Sequence, residues 1–139
     1  MQGRDKARQV LAKYGGNELK AIVRQENLMV RERHPWPARF QDMFVSPVIF
    51  VPREISKSQR RVLVAHCLGH HFLHEANQVW LRGFDTTWNR KLERQAEEFA
   101  AFLLIPEHEG VLLEALGPAD LAARYGVTEE LVDLRRRFG

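Results

Sequence analysis

The chain has 139 residues, a formal net charge of +3 and a single cysteine, so it is long enough for one compact core and offers no internal disulfide. The 45% share of hydrophobic residues excludes a largely disordered protein. No apolar run approaches the roughly 18 residues of a membrane span and no signal peptide opens the chain, so we expect a cytoplasmic protein without a membrane contact.

The first third of the chain predicts two helices and a loop. A weak helical pattern over about residues 4–13 ends at Gly15-Gly16, which is a good stop signal. The stretch NELKAIVRQ predicts a second helix with Asn17 as its cap. Short apolar bursts in ENLMVRER then precede HPWP, whose prolines forbid a continued helix and indicate a loop.

The stretch MFVSPVIFVP, residues 43–52, favours β structure because β-branched and aromatic residues dominate it. Pro47 has no backbone N–H to donate to a neighbouring strand. We therefore expect one strand or a pair of strands here, at the edge of a small sheet.

Two long helices are predicted in the middle of the chain. The first covers about residues 58–75, with Ser58 as its cap. The second covers about residues 90–105 and ends at Pro106. The predicted inner face of the second helix holds Leu92, Ala96, Phe99, Ala100 and Leu103.

The last segment predicts two helices within residues 118–137, with a turn at Gly126 and Thr128 as the second cap. Its helix-turn-helix proportions and the three arginines at 135–137 raise the question of DNA binding. The acidic pair at 129–130 stands early in the second helix, where base-reading polar groups would be needed. We expect a structural hairpin that does not bind DNA.

The stretch VAHCLGHHFLH, residues 64–74, contains four histidines and the cysteine. His66 and His70 are four residues apart on the inward side of their helix, and both could bind the same metal ion, at about 2.0–2.1 Å for each Zn–N bond. Glu93 and Glu97 have the same spacing on the second long helix. One of these carboxylates could reach the metal while the other hydrogen-bonds a ligating histidine. Spacing alone leaves their roles open, and it leaves open whether the histidines are ordinary core residues.

His71 and His74 invite a rival assignment within the same stretch. His70 and His74 are also four residues apart, and Cys67 could join His74 as a ligand. Ala76 stands where the longer zincin pattern has a third histidine. We retain His66 with His70.

Three blocks lie within about residues 44–139 and read FVPREISKSQRRVLVAHCLGHHFLH, ERQAEEFAAFLLIP and LAARYGVTEELVDLRRRFG. In sequence and in their order along the chain, these blocks resemble the ImmA/IrrE family of zinc metallopeptidases, which is known for cleaving helix-turn-helix repressors. The resemblance implies an α+β, zincin-like (gluzincin-type) fold that is mostly helical with a small sheet. We expect a zincin-like metallopeptidase domain over residues 1–108 and a C-terminal helix-turn-helix-like hairpin over 109–139, packed on the same core.

The resemblance also implies one Zn²⁺ bound by His66, His70 and Glu93. Glu97 stands where the family usually has Asn or Asp, and we expect its carboxylate to hydrogen-bond a ligating histidine without binding the metal itself. The family's first block normally reads Ala-His-Glu-hydrophobic-Gly-His, and Cys67 replaces its glutamate. That glutamate is the general base which polarises the metal's water. A thiol is a poor substitute, because it is shorter and titrates near 8.5.

We therefore expect a zinc-binding protein of this family that acts on a protein partner, such as a helix-turn-helix repressor presented along the edge strand near VSPVIFVP. Its peptidase activity should be reduced or absent, unless Glu75, Asp85 or another carboxylate replaces the base. The alternative is a non-catalytic regulatory or DNA-binding module on the same scaffold, with a structural metal or none.

Overall fold

The computed structural model describes residues 2–33, 43–74 and 86–139, which form helices around a three-stranded sheet. The strands are β1 (Met29–Arg33), β2 (Met43–Val45) and β3 (Val48–Pro52). The helices are α1 (Gly3–Tyr14), α2 (Leu19–Gln25), α3 (Lys57–Leu73), α4 (Thr86–Leu104), α5 (Gly110–Ala115), α6 (Pro118–Tyr125) and α7 (Glu129–Phe138), with a 3₁₀ turn at Glu107–Glu109. The predicted α+β class is confirmed. None of the described helices is both long and apolar enough to cross a membrane.

Strand β3 occupies the centre of the described sheet. It runs parallel to β1 and antiparallel to β2, which gives the order β1-β3-β2. Ile49 and Val51 of β3 are fully buried and alternate with half-buried neighbours, so one face of the sheet covers the core.

The β structure predicted in MFVSPVIFVP is confirmed and consists of two strands. Strand β2 lies at an edge of the described sheet as predicted, but the edge position predicted for VSPVIFVP is wrong, because β3 is central. Strand β1 pairs with β3 on the side away from β2, from Met29 opposite Val48 to Arg33 opposite Pro52. The sequence pattern did not reveal β1, because most of its residues are exposed and it lacks a regular buried face. Strands β1 and β2 form the edges of the described sheet, and the loop predicted at HPWP lies outside the described residues.

Two predicted helix caps lie at other residues. Helix α3 begins after Ser56 rather than Ser58, because Ser56 Oγ accepts from the N–H of Gln59 and the Gln59 side chain accepts from the N–H of Ser56. Helix α2 begins after Glu18, without a side-chain cap. The amide of Asn17, its predicted cap, instead donates to the carbonyl oxygen of Leu103 at 3.0 Å.

Helices α3 and α4 pack side by side at the centre of the molecule, and both were predicted. The predicted inner face of α4 is buried. The two backbones approach closely at Gly69, where an added Cβ would lie 2.9 Å from Cα and 3.0 Å from the carbonyl oxygen of Ala96. A side chain at Gly69 would therefore force the two helices apart.

Helix α1 packs on another side of α4. A Cβ at Gly3 would lie 2.5 Å from the carbonyl oxygen of Gln95, so the start of α1 also touches the α4 backbone. The N–H of Arg4 donates to the Glu98 carboxylate at 3.1 Å. Helix α7 also packs on α4, so helices from both ends of the chain contact it.

The two predicted C-terminal helices are confirmed as α6 and α7. Gly126 ends α6 with a left-handed backbone at φ 64°, and the Thr128 hydroxyl caps α7 by accepting from the N–H of Leu131. Leu121 and Leu131 belong to the hydrophobic core. The short helix α5 before them was not predicted.

The terminal arginines have different environments. Arg135 is 1% exposed, its Nε donates to the carbonyl oxygen of Ile105 at 2.7 Å, and its guanidinium lies 4.1 Å from the centre of the Phe102 ring. Arg136 donates to the carbonyl oxygens of Leu113 and Leu116. Two of the three arginines that raised the question of DNA binding therefore hold the hairpin to the core.

A partly buried polar cluster joins α1 and α3 to the end of α2. The Glu26 carboxylate accepts from the Tyr14 hydroxyl, lies 2.9 Å from Nε2 of His71 and pairs with Lys13 at 3.5 Å. Burial opposes ionisation of Glu26, but the hydrogen bonds from Tyr14 and His71 and the charge of Lys13 outweigh it and lower the pKa of Glu26.

We predict that Glu26→Gln lowers the free energy of unfolding by about 1–2 kcal/mol near neutral pH. The lowered pKa means that the ionised carboxylate stabilises the fold above the unfolded pKa of about 4.3, and that this stabilisation disappears as the pH falls through the folded value. Urea unfolding from about pH 6 to about pH 3.5 should show the wild type and variant converging. A constant difference across that range would contradict the assignment.

We predict that Gly69→Ala destabilises the protein by about 1–3 kcal/mol, because the new methyl group overlaps the α4 backbone. Gly110→Ala is the matched control, since Gly110 is helical and a Cβ there meets nothing within 4 Å. The control should be neutral or slightly more stable. Urea unfolding checks both variants, and equal stability of the two would show that α3 and α4 are not in tight contact.

Candidate metal centre

Two histidines and one glutamate converge between α3 and α4. Nε2 of His66 lies 2.7 Å from one carboxylate oxygen of Glu93, and Nε2 of His70 lies 2.9 Å from the other. One ligand atom from each of the three residues lies within 4.8 Å of the other two. The structure therefore brings together the three residues that the family resemblance implied as zinc ligands.

The local fold explains this convergence. His66 and His70 are one helical turn apart on α3, so their imidazoles project from the same side of that helix. Gly69 lies between them in the sequence and lets α4 approach at Ala96. Glu93 precedes Ala96 by three residues, which brings its carboxylate to the two imidazoles.

The donor set fits a divalent metal ion. Two imidazole nitrogens and one carboxylate oxygen are ligands that zinc accepts, and three protein ligands leave a position for water or substrate. His70 is 1% exposed on its side chain and His66 is 15% exposed, whereas Glu93 is 37% exposed. The histidine side of the site is therefore buried in the core, and the carboxylate side is more open to solvent. The three residues could hold an ion there.

Cys67 lies elsewhere. Successive residues of a helix point about a quarter turn apart, so the side chain of Cys67 points in a different direction from that of His66. The Cys67 side chain is fully buried and belongs to the hydrophobic core. Within the described ranges, the group of possible metal ligands comprises His66, His70 and Glu93 and does not include Cys67. Its correspondence to a lost general base remains a prediction.

The rival histidines occupy other surroundings. His74 is buried, its Nε2 lies 3.4 Å from the carbonyl oxygen of Leu92, and its ring centre is 5.5 Å from that of His70. Burial and the neighbouring His70 lower the pKa of His74, which favours its neutral form. His71 is turned toward Glu26. In the part of the chain that the structure describes, neither histidine joins the group of possible ligands.

Glu97 lies one turn beyond Glu93 on α4 and lines a cleft between α4 and α7. Among the described side chains it makes no hydrogen bond to His66 or His70, so its support of the ligands remains a prediction. The alternative bases Glu75 and Asp85 lie outside the described residues.

The sequence patterns missed this cleft. Three arginines line it together with Glu93 and Glu97, and the apolar part of its wall comes from α7. The α4 members stand at positions 90, 93, 94 and 97, a spacing that places charged residues on one helical face. That spacing was a usable signal, although it could not show that α7 lies opposite.

Comparison with known protein families matches residues 23–137 to the IrrE N-terminal-like domain, Peptidase M78. Neither the curated proteins nor the solved structures yield a match. The family match spans most of the chain and includes the two histidines and the glutamate that converge. This chain belongs to the IrrE N-terminal-like domain family of Peptidase M78.

Proposed function

We propose that this protein binds one zinc ion on a zincin-like (gluzincin-type) scaffold, acts on a protein partner and has lost most or all of its peptidase activity. The convergence of His66, His70 and Glu93 is the observation that carries the proposal. Membership of a metallopeptidase family supports it, because two histidines and a glutamate are a zinc-ligand set of catalytic metallopeptidases.

When bound, zinc would supply Lewis acidity, polarising a peptide carbonyl and lowering the pKa of water. The protein's own contribution would be to present two neutral imidazoles and one carboxylate in fixed positions. A general base should take the proton from that water, and Cys67 occupies its place in the sequence while its side chain lies in the apolar core. Loss of a positioned base typically costs a factor of about 10²–10⁴ in rate.

The proposed partner is a helix-turn-helix repressor. We infer that it would add an extended segment to the edge of the sheet at β2, rather than at the central strand β3. Strand β2 lies against α3, the helix that carries the two histidines, and the Phe44 ring of β2 lies 6.1 Å from the His71 ring. A segment on β2 would therefore lie near α3, the helix that carries two of the proposed zinc ligands.

A non-catalytic regulator on the same scaffold is the second proposal, and the full burial of Cys67 favours it. DNA binding by the C-terminal hairpin is disfavoured, because Arg135 and Arg136 are engaged with backbone carbonyl groups of the protein itself. We retain the division into a metallopeptidase-like part, 1–108, and a hairpin part, 109–139, as a proposal.

We predict that His70→Ala removes stoichiometric zinc from protein purified without an affinity tag. His71→Ala is the matched control, because the neighbouring His71 faces Glu26 rather than the proposed site and should leave zinc content unchanged. Added zinc should raise the melting temperature of the wild type and of the control, but not that of His70→Ala. A full equivalent of zinc in folded His70→Ala would place the site elsewhere.

We predict that Cys67→Glu increases cleavage of a helix-turn-helix repressor by a large factor, up to about 10²–10⁴. Cys67→Gln is the matched control, since it has the size of glutamate but cannot accept the proton. The substrate is the repressor encoded nearest to the protein's gene, and product fragments are quantified by mass spectrometry. Zinc content and urea unfolding accompany the rates, because a larger side chain in the core costs about 1–3 kcal/mol and glutamate, unlike glutamine, would also bring a charge into it.

Activity of Cys67→Glu above both the wild type and Cys67→Gln would support a disabled peptidase. Efficient cleavage by the wild type, unchanged in Cys67→Glu, would show that another group supplies the base. A folded, zinc-loaded Cys67→Glu that binds the repressor without cutting it would establish the non-catalytic regulator as the better description.

A further inference from the structure

The cleft between α4 and α7 opens beside the candidate metal centre. Glu93 belongs to both, because its carboxylate meets the two histidines and the residue also lines the cleft. A molecule lying in this cleft would therefore sit next to the proposed zinc ligands.

Three arginines give the cleft its charge. Arg90 and Arg94 stand one turn apart on α4, and Arg137 faces them from α7. All three are exposed, and within residues 2–33, 43–74 and 86–139 none of their guanidinium groups forms an ion pair or hydrogen bond. By contrast, Arg8 is paired with Glu107, and Arg135 is bound to a backbone carbonyl group. The cleft thus presents guanidinium groups that have no acidic partner in the described structure.

The rest of the lining restricts what can bind. Leu134 and Phe138 of α7 are half-buried and form an apolar part of the wall. Glu97 adds a negative charge, and Glu93 faces the histidines. The three arginines exceed the two glutamates by one positive charge. The lining therefore combines a small excess of positive charge with apolar surface and localised negative charge.

We propose that this cleft binds an acidic segment of the partner protein, with carboxylates paired to Arg90, Arg94 and Arg137 and an apolar side chain against Leu134 and Phe138. Guanidinium groups bind carboxylates in a bidentate manner, and the apolar wall adds burial that a simple anion would not use. The role of this segment in placing the partner at the metal rests on the proposed function, but binding in the cleft does not require a metal.

A peptide suits the cleft better than a nucleic acid. A polyanionic backbone would bring phosphates close to Glu97, and nucleic-acid sites depend on several phosphate contacts in an evenly positive groove. A peptide can alternate carboxylates with an apolar side chain. The α4 face from position 90 to position 97 is about 10 Å long, which matches roughly three residues of extended chain. The recognised segment is therefore short.

The test uses full-length protein and a short fluorescent peptide in which glutamate alternates with leucine and phenylalanine. Fluorescence anisotropy measures binding to zinc-loaded protein and to protein stripped with a chelator. Arg94→Gln combined with Arg137→Gln should weaken binding roughly tenfold in both preparations. Arg24→Gln combined with Arg124→Gln removes the same charge from exposed positions outside the cleft and should leave binding unchanged.

Comparable binding of the matching peptide with lysine in place of glutamate would overturn the proposal, and so would unchanged binding by the cleft double variant. Tighter binding of a single-stranded oligonucleotide that the cleft variant abolishes would assign the cleft to nucleic acid instead. Peptide binding that persists after zinc removal supports the cleft even if the zinc proposal fails. Zinc binding without peptide binding would support the metal centre and refute the proposal that the cleft binds an acidic segment.

Discussion

The close approach of α3 and α4 is the constraint on which the candidate metal centre depends. Gly69 has no side chain, and Ala96 has only a methyl group, so the two backbones come into contact at this point. His66 and His70 flank Gly69 on α3, and Glu93 lies one turn before Ala96 on α4. A larger residue at the contact would increase the separation between the imidazoles and the carboxylate. The same small residues therefore serve both the packing of the two helices and the placement of the three candidate ligands.

Helix α4 is held in place from several sides, which fixes Glu93 relative to His66 and His70. Gly3 lets α1 touch its backbone, α3 packs against the face that carries Glu93, and α7, near the C-terminus of the chain, also packs against it. Arg135 adds a buried guanidinium over Phe102 and a hydrogen bond to Ile105. Burial lowers the pKa of Arg135, but the ordinary value is so high that the group stays charged at neutral pH. Its carbonyl and ring contacts compensate for part of the cost of that burial.

The candidate centre brings together a donor set suited to a metal ion, whereas the proposed loss of peptidase activity concerns another residue, Cys67. Cys67 packs as a small apolar side chain in the core, which agrees with the burial typical of free cysteine. Holding a metal and activating water are separable tasks, because ligands fix the ion whereas the base must reach the water.

The sequence by itself determined the long helices, the C-terminal hairpin and the pairing of His66 with His70, because these follow from periodicity, caps and spacing within one element. Spacing did not distinguish Glu93 from Glu97, because the two glutamates are four residues apart and lie on the same side of one helix. Only the resemblance to a family favoured Glu93. The tertiary structure decided which carboxylate meets the histidines, placed β1 beside β3 and buried Arg135. Each of these depends on contacts between segments distant in sequence, which no local pattern records.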